Sequence, residues 1–437
     1  MQILTRMGTM IENYRNIAPD KILSEISALA GALKGRTLQH VSSTRIGGGV
    51  AEILNRMIPW TTSLGIPTTW DVIDGRQDFF EVTKSIHNAL QGSDVEISCC
   101  NKEIYLAHLA HNAGKIEPDA DVVMVHDPQP AFLIEYFPHR RKSMVWRCHI
   151  DLSRPMPAIW RFLRPAINKY AMAVFHIPHF AQKDLTIPKV LISPSIDPLS
   201  EKNRELTQEE ITRIVEGFGI DRGRPIIVQV SRFDRFKDPM GVIAAFRQVR
   251  RHFDCQLVLA GGGATDDPEG PMVQAEVEEA AAGDPDIFVL FQPTDLEVNA
   301  LQRAADIILQ KSTREGFGLT VTEGMWKGKP VIGGAVGGIP AQIIHGETGY
   351  LVNSPEGAAY RIRYLLSHPH AGSVMGARGR EHVRYNFLIT RHVRDYLLLM
   401  LHVMQNENER PVFIGGVTGK TGRPGGGDIA AKTGEKT

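Results

Sequence analysis

Cysteine is scarce in this chain, with four among 437 residues: Cys99, Cys100, Cys148 and Cys255. None forms a C-x-x-C pair, and the adjacent Cys99 and Cys100 are poorly placed to bridge each other, which excludes a disulfide framework and points to reduced thiols in the cytoplasm. A charge excess of either sign is also missing, because Lys plus Arg and Asp plus Glu both number 49. No global field therefore favours nucleic acid or an anionic membrane, and any phosphate recognition must be local. No apolar run approaches the roughly 20 residues needed to span a bilayer. The first fifteen residues lack the apolar segment of a secretory signal, so a soluble protein that stays inside the cell is expected. What is present is length, enough for two cores.

Apolar periodicity divides that length. Ile22-Leu23, Ile26, Leu29-Ala30 and Leu33 mark a helical face within an N-terminal extension, residues 1–36, which caps its own chain or pairs with a second copy in a homodimer. From Thr37 strands (38–41, 68–73, 121–125, 144–149, 171–176, 190–192) alternate with helices (50–64, 79–90, 157–170), which predicts a doubly wound parallel sheet over residues 37–195. Ser193-Pro-Ser-Ile-Asp-Pro-Leu-Ser-Glu-Lys-Asn-Arg204 reads as a linker. A second series fills residues 207–385, with strands at 226–230, 256–260, 287–291, 306–309, 331–332 and 350–352, and helices at 239–252, 271–282, 295–304, 318–327 and 339–344. The expected class is α/β, two Rossmann-like domains facing each other across a cleft. A helical stretch over 372–405 follows, and the segment 386–409 is expected to cross back to the first domain. Residues 410–437 are too poor in apolar side chains to order themselves, and Gly416-Val-Thr-Gly-Lys-Thr421 has neither the preceding strand nor the glycine spacing of a phosphate loop.

Glu315 and Glu323 stand eight residues apart in Glu315-Gly-Phe-Gly-Leu-Thr-Val-Thr-Glu323, ahead of the run Gly333-Gly-Ala-Val-Gly-Gly-Ile-Pro340. Gly316 and Gly318 break the chain, which leaves the first carboxylate on a loop at a strand's carboxyl end and the second about two turns into a helix. Both face one crevice, where one can hold sugar hydroxyls and the other a ribose. Arg232 and Lys237, in Ser231-Arg-Phe-Asp-Arg-Phe-Lys-Asp-Pro239, follow the strand 226–230 and precede a helix. Cations there, with the helix N-terminus, stabilise the charge that grows on a departing phosphate; a solvated loop pairing with Asp234 and Asp238 is the plainer reading.

On the first domain Gly47-Gly48-Gly49 opens a helix after the first strand, where bare backbone can approach a diphosphate or sugar, although a flexible turn would look the same. His126-Asp127 and His149-Ile-Asp151 close two strands at the same edge, placed to hold sugar hydroxyls unless they merely cap their strands. Asp127 is suited to an acceptor hydroxyl. Asp74-Gly-Arg76 belongs to the same rim and can hold an anionic or sugar ligand. Asp119-x-Asp121 and Asp284-x-Asp286 look like metal-binding D-x-D pairs but precede strands, at the edge away from the cleft, so no metal site is expected.

Arg232-x4-Lys237 with Glu315-x7-Glu323 and Gly337-Gly-Ile-Pro340 resembles the retaining glycosyltransferases of the GT-B fold, family 4 type, over about residues 37–405. More narrowly, His40-Val-Ser-Ser-Thr-Arg-Ile-Gly-Gly-Gly-Val-Ala-Glu52, Trp70-Asp-Val-Ile-Asp-Gly75, Val125-His-Asp-Pro-Gln-Pro130, Trp146-Arg-Cys-His-Ile-Asp151 and Ile196-Asp-Pro-Leu-Ser-Glu-Lys-Asn203 resemble the trehalose glycosyltransferring synthases and the retaining trehalose phosphorylases. The resemblance implies that Arg232 and Lys237 neutralise a donor diphosphate, that Glu323 binds the nucleotide ribose and that Glu315 contacts the transferred glucose. It places Gly48 and Gly49 against donor phosphate or glucose, and Gly316, Phe317, Gly318 and Leu319 in the donor site. Asp127 and His149 would orient glucose at the reacting centre, with His126, Asp74 and Arg76 on the acceptor side.

The mechanism implied is same-face attack assisted by the leaving phosphate, with no enzyme nucleophile, no required cofactor and Mg2+ only as a nucleotide counter-ion. The expected activity is reversible glucose transfer from a nucleoside diphosphate glucose to free glucose, forming α,α-trehalose. The expected partners are those sugars, with neither nucleic acid nor membrane. Phosphorolysis of trehalose is the nearest rival, and a nucleotide-sugar epimerase or a silent binder the more distant ones.

Overall fold

Val122-Val-Met-Val-His126 and Ile226-Ile-Val-Gln-Val230 are apolar along most of their length, the pattern of strands covered on both faces, and each lies inside a parallel sheet. The computed structural model describes residues 10–45, 48–262 and 270–405. Gly47, residues 1–9 and the glycine-rich segment 410–437 with its Gly416–Thr421 run lie outside them.

The first unit comprises α1 (Asp20–Ala32), β1 (Leu38–Ser42), α2 (Gly48–Ser63), β2 (Thr68–Val72), α3 (Gln77–Leu90), α4 (Cys99–Ala113), β3 (Val122–His126), β4 (Met144–Arg147), α5 (Pro157–Ile167), β5 (Met172–Phe175) and β6 (Lys189–Leu191). Its strands are parallel in the order β2-β1-β3-β4-β5-β6. The second comprises α6 (Gln208–Gly217), β7 (Ile226–Val230), α7 (Pro239–Arg250), β8 (Gln256–Gly261), α8 (Gly270–Ala281), β9 (Ile287–Phe291), α9 (Asp295–Ala304), β10 (Ile307–Gln310), α10 (Leu319–Trp326), β11 (Val331–Gly334) and β12 (Tyr350–Val352), followed by α11 (Pro355–Ser367), α12 (Pro369–Asn386) and α13 (Ile389–Gln405). Its order is β12-β11-β10-β7-β8-β9, again parallel. The α/β class with two parallel-sheet domains is therefore the one expected.

Chain order reverses at one place in each sheet. β1 has β2 on one side and β3 on the other, and β7 lies between β8 and β10. Loops leaving the two innermost strands diverge there and open a crevice at the carboxyl ends. β1 leads to Gly48-Gly49 at the start of α2, β3 ends on His126 ahead of Asp127, and the loops after β7 and β10 carry Arg232, Lys237 and Glu315.

α13 lies on the first sheet. Val393, Tyr396, Leu397 and Met400 are buried with Leu38, Val122, Met124 and Val145, and the apolar face of α1 (Ile22, Leu23, Ile26) joins the same cluster. That face is thus occupied by its own chain. Where the chain crosses, Ile196 N–H donates to Phe387 O at 2.9 Å and Ile389 N–H to Ile196 O at 2.9 Å, while Arg391 donates to the carbonyls of Ser193 and Pro194 at 2.8 and 2.9 Å.

The structure departs from expectation in several elements. The helix expected at 339–344 is a short 3-10 turn, Ile339–Ala341, and the strand expected at 144–149 ends at Arg147. Helices α4, α6 and α11 were not anticipated. Among the described residues no helix is long and apolar enough to cross a membrane. Leu397 is fully buried between α13 and the first sheet, so Leu397→Ala is expected to cost about 2–5 kcal/mol of stability, read by chemical denaturation.

Candidate active site

The loop after β7 is shaped by Asp234, whose Oδ1 accepts from the amides of Phe236 (2.7 Å) and Lys237 (3.1 Å) and whose Oδ2 accepts from Arg232 at 3.1 Å. Gln229 Nε2 donates to the Lys237 carbonyl at 2.9 Å. The lysine side chain then reaches the loop after β10, where Nζ lies 2.6 Å from Glu315 Oε2, and Ser312 Oγ donates to the same oxygen at 3.2 Å. The structure therefore joins a phosphate-holding and a sugar-holding candidate in one largely dehydrated ion pair. Asp238, expected as a partner of the cations in this loop, instead caps α7 through the Gly241 amide and pairs with Lys311. With α7 capped, the helix end here without a side-chain cap is that of α10, which begins after Gly318 in a left-handed conformation (φ 85°).

Glu315 rests on the glycine run. Gly337 has φ 54°, and a Cβ there would overlap the Glu315 carbonyl, so only glycine lets the two loops stack; Gly338 N–H donates to that carbonyl at 3.4 Å. Glu323 lies within α10 and is only 3% exposed. It accepts from Gln302 Nε2 at 3.2 Å, with Lys202 Nζ 3.9 Å from its other oxygen.

On the first domain Asp127, at the end of β3, has φ 65° and accepts the His149 amide at 2.7 Å. Dehydration pushes its carboxyl up to about 7, against that hydrogen bond and the nearby Arg147. His149 belongs to a chain of imidazoles. His40 Nδ1 lies 2.9 Å from His126 Nε2, His126 Nδ1 2.9 Å from His149 Nε2, and His149 Nδ1 3.4 Å from His176 Nε2. Burial holds His40 down to about 3 and the other three well below the usual histidine range. His126 is 2% exposed, and both its nitrogens lie 2.9 Å from nitrogens of neighbouring imidazoles. Both nitrogens of His149 likewise face other rings.

The two domains meet at this point. A Cβ on Gly316 would lie 3.6 Å from the His149 carbonyl, the Phe317 and His176 rings are 6.0 Å apart, and Arg314 donates to Gln91 O at 3.3 Å. Lys237, Glu315, Gly316, Phe317, His149 and Asp127 thus form one continuous line of contacts, with Gly318 and Leu319 adjoining it. Gly48 and Gly49 open α2 at the switch point of the first sheet, and a Cβ on Gly49 would meet nothing within 4 Å. Asp74 and Arg76 hold other partners, Lys115 (2.6 Å) and Asp78 (3.2 Å), beside edge strand β2. Asp121 anchors the Thr37 amide and hydroxyl, and Asp286 is gripped by Arg224 and Arg250, so the second aspartate of each D-x-D pair braces the amino end of a strand.

Two known families match the chain, the trehalose synthase N-terminal domain over residues 40–182 and the glycosyl transferases group 1 over residues 210–382. A trehalose synthase of Pyrococcus horikoshii is 49% identical over 394 residues, spanning 89% of this chain and 95% of that one. The chain belongs to the trehalose synthase family. A trehalose phosphorylase of Pleurotus pulmonarius is more distant, 30% identical over 395 residues that span 78% of this chain and 54% of that protein. An α,α-trehalose-phosphate synthase (UDP-forming) from Burkholderia xenovorans, solved in complex with glucose-6-phosphate, shares the fold with a TM-score of 0.67 at 14% identity, covering 84% of this chain and all of that one. Members of the trehalose synthase family with this GT-B architecture transfer hexose, and this chain is such an enzyme.

Arg232 is half-exposed and Asp234 keeps its amide donors without it, so Arg232→Ala is expected to lower kcat by about 10²–10³ with an unchanged thermal midpoint. Lys237→Ala also strands Glu315, and should cost about 3–5 kcal/mol of stability besides activity, measured by parallel denaturation and kinetics. A third outcome concerns acid. His40, His126, His149, His176 and His392 are all held below the ordinary 6.5, so unfolding binds protons and stability should drain away as pH falls below about 6.5. Asp127, raised from 3.8 to about 7, and Glu52, also raised by burial, work in the opposite sense but are two groups against these five. Thermal midpoints recorded from pH 8 to pH 4 check the sign.

Proposed function

We propose that the enzyme transfers glucose from a nucleoside diphosphate glucose to the anomeric hydroxyl of free glucose, giving α,α-trehalose and the nucleoside diphosphate, reversibly. The observation that carries this reading is the Lys237–Glu315 pair, seated at the switch point of the second sheet and in line with His149 and Asp127 of the first. In this reading the bond from glucose C1 to the β-phosphate oxygen breaks as the acceptor oxygen attacks C1 from the same face. The acceptor proton passes to the departing phosphate oxygen, so no side chain serves as nucleophile. Lys237 has three N–H donors, of which one meets Glu315, and the others with Arg232 stabilise the growing phosphate charge. The uncapped start of α10, at Gly318 and Leu319, adds backbone amides to the same anion.

Glu315 then orients glucose hydroxyls, Glu323 takes the ribose, and Gly48 and Gly49 let the start of α2 approach the donor. Asp127, carrying a proton up to about pH 7, can donate a hydrogen bond to an acceptor hydroxyl as well as accept one. Mg2+ enters this scheme only as a counter-ion of the nucleotide. Four free thiols fit a cytoplasmic enzyme.

The test is to incubate the enzyme with trehalose and either a nucleoside diphosphate or inorganic phosphate. Glucose and a nucleotide sugar are expected with the nucleoside diphosphate. Release with phosphate alone would replace this reading by phosphorolysis, and conversion of a nucleotide sugar without acceptor would replace it by epimerisation.

A further inference from the structure

Lys202 lies in the linker Ser193–Arg204, in its stretch Ile196–Asn203. Its Nζ is 3.6 Å from Glu52 Oε1, 3.7 Å from Asp295 Oδ1 and 3.9 Å from Glu323 Oε1. At these distances the ammonium sits among three carboxylates rather than upon one. Asp295 and Glu323 belong to α9 and α10 of the second domain, whereas Glu52 comes from α2 of the first, one turn beyond Gly48-Gly49. Glu323 is buried, and a carboxylate out of water needs a nearby cation or hydrogen-bond donors to remain charged there. The other ammonium on this side, Lys327, is held by Asn203 Oδ1 at 2.9 Å, and burial lowers it to about 7, which makes it the weaker partner. Burial raises the Glu52 carboxyl, with Lys202 opposing the rise, while Glu323 is the main cause that raises Lys202.

We propose that Lys202 is a positioning residue for the donor ribose, holding the Glu323 carboxylate ready for the ribose hydroxyls while its shared contact with Glu52 ties the nucleotide end of the donor site to the first domain. This rests on the reading that Glu323 meets the ribose. Lys202 itself touches neither sugar nor phosphate. It acts through Glu323, so its loss should be felt only by ligands that carry a ribose.

Binding of uridine and adenosine diphosphates, and of inorganic pyrophosphate, which has no ribose, is measured calorimetrically on the full chain. The variants are Lys202→Met, Lys202→Arg, Glu323→Gln and the double Lys202→Met/Glu323→Gln. Lys202→Met and Glu323→Gln are each expected to weaken nucleoside diphosphate binding about tenfold or more, and to leave pyrophosphate within about twofold. Because both act on one contact, the double variant should bind no more weakly than Glu323→Gln, and Lys202→Arg should recover most of the affinity. Loss in Glu323→Gln without loss in Lys202→Met overturns the proposal and leaves the ribose reading standing. Unchanged nucleoside diphosphate binding in Glu323→Gln removes the ribose reading, and the proposal with it. An equal loss of pyrophosphate in Lys202→Met also overturns it, because the lysine would then be attracting phosphate directly. Should Lys202→Met fail to fold, Lys202→Gln carries the same comparison.

Discussion

Lys237 and Glu315 stand 78 positions apart in sequence and 2.6 Å apart in space, and the second half of the cleft is organised around that contact. A pair so far out of water is a weak source of net stability, since dehydrating two charges consumes most of their attraction. Its effect is one of placement. The loop after β7 can meet the loop after β10 only because these strands are neighbours at the point where chain order reverses, and the glycine run presses the glutamate towards the lysine from behind. The same pattern recurs nearby, with Arg232 on Asp234 and Lys311 on Asp238. The cations at this edge thus have anionic neighbours before any ligand arrives. Any anion entering here must share these cations with carboxylates already in place.

The first domain presents a different chemistry. Its rim holds imidazoles kept neutral by burial and an aspartic acid that retains its proton to about pH 7. Neutral donors and acceptors suit uncharged sugar, whereas the opposing domain gathers charge. The buried Arg147 fits this division, donating to the carbonyls of Phe175 and Ile192 beneath the rim and lowering the proton affinity of the histidines above it.

Much of the cleft was legible because α/β sheets bind ligands at the carboxyl ends of strands, so motifs such as Arg232-x4-Lys237 and Glu315-x7-Glu323 carry their location with them. Two of the three helices absent from the expected pattern share a reason. α4 and α6 are polar along much of their length and bury few side chains, yet their capping boxes, Ser98 with Asn101 and Thr207 with Glu210, were local signals of a helix start. The imidazole chain was half visible, since alternation along β1 and β3 puts His40 and His126 on one face, but the pairing of β1 with β3 is a tertiary fact. The helix start without a side-chain cap is that of α10 rather than α7 because Asp238 turns onto the Gly241 amide, and the sequence shows the aspartate without showing which way it turns. Lys202 was unreadable, because its three acidic neighbours come from segments far along the chain.

The chain passes between the domains twice, and the two passages are stitched to each other through Ile196, Phe387 and Ile389. A single tether lets its loads swivel in every direction, but a double strap resists torsion and yields mainly to folding about one line. Any turning of one domain against the other must therefore bend both straps together, beside the spot where Gly316 meets His149.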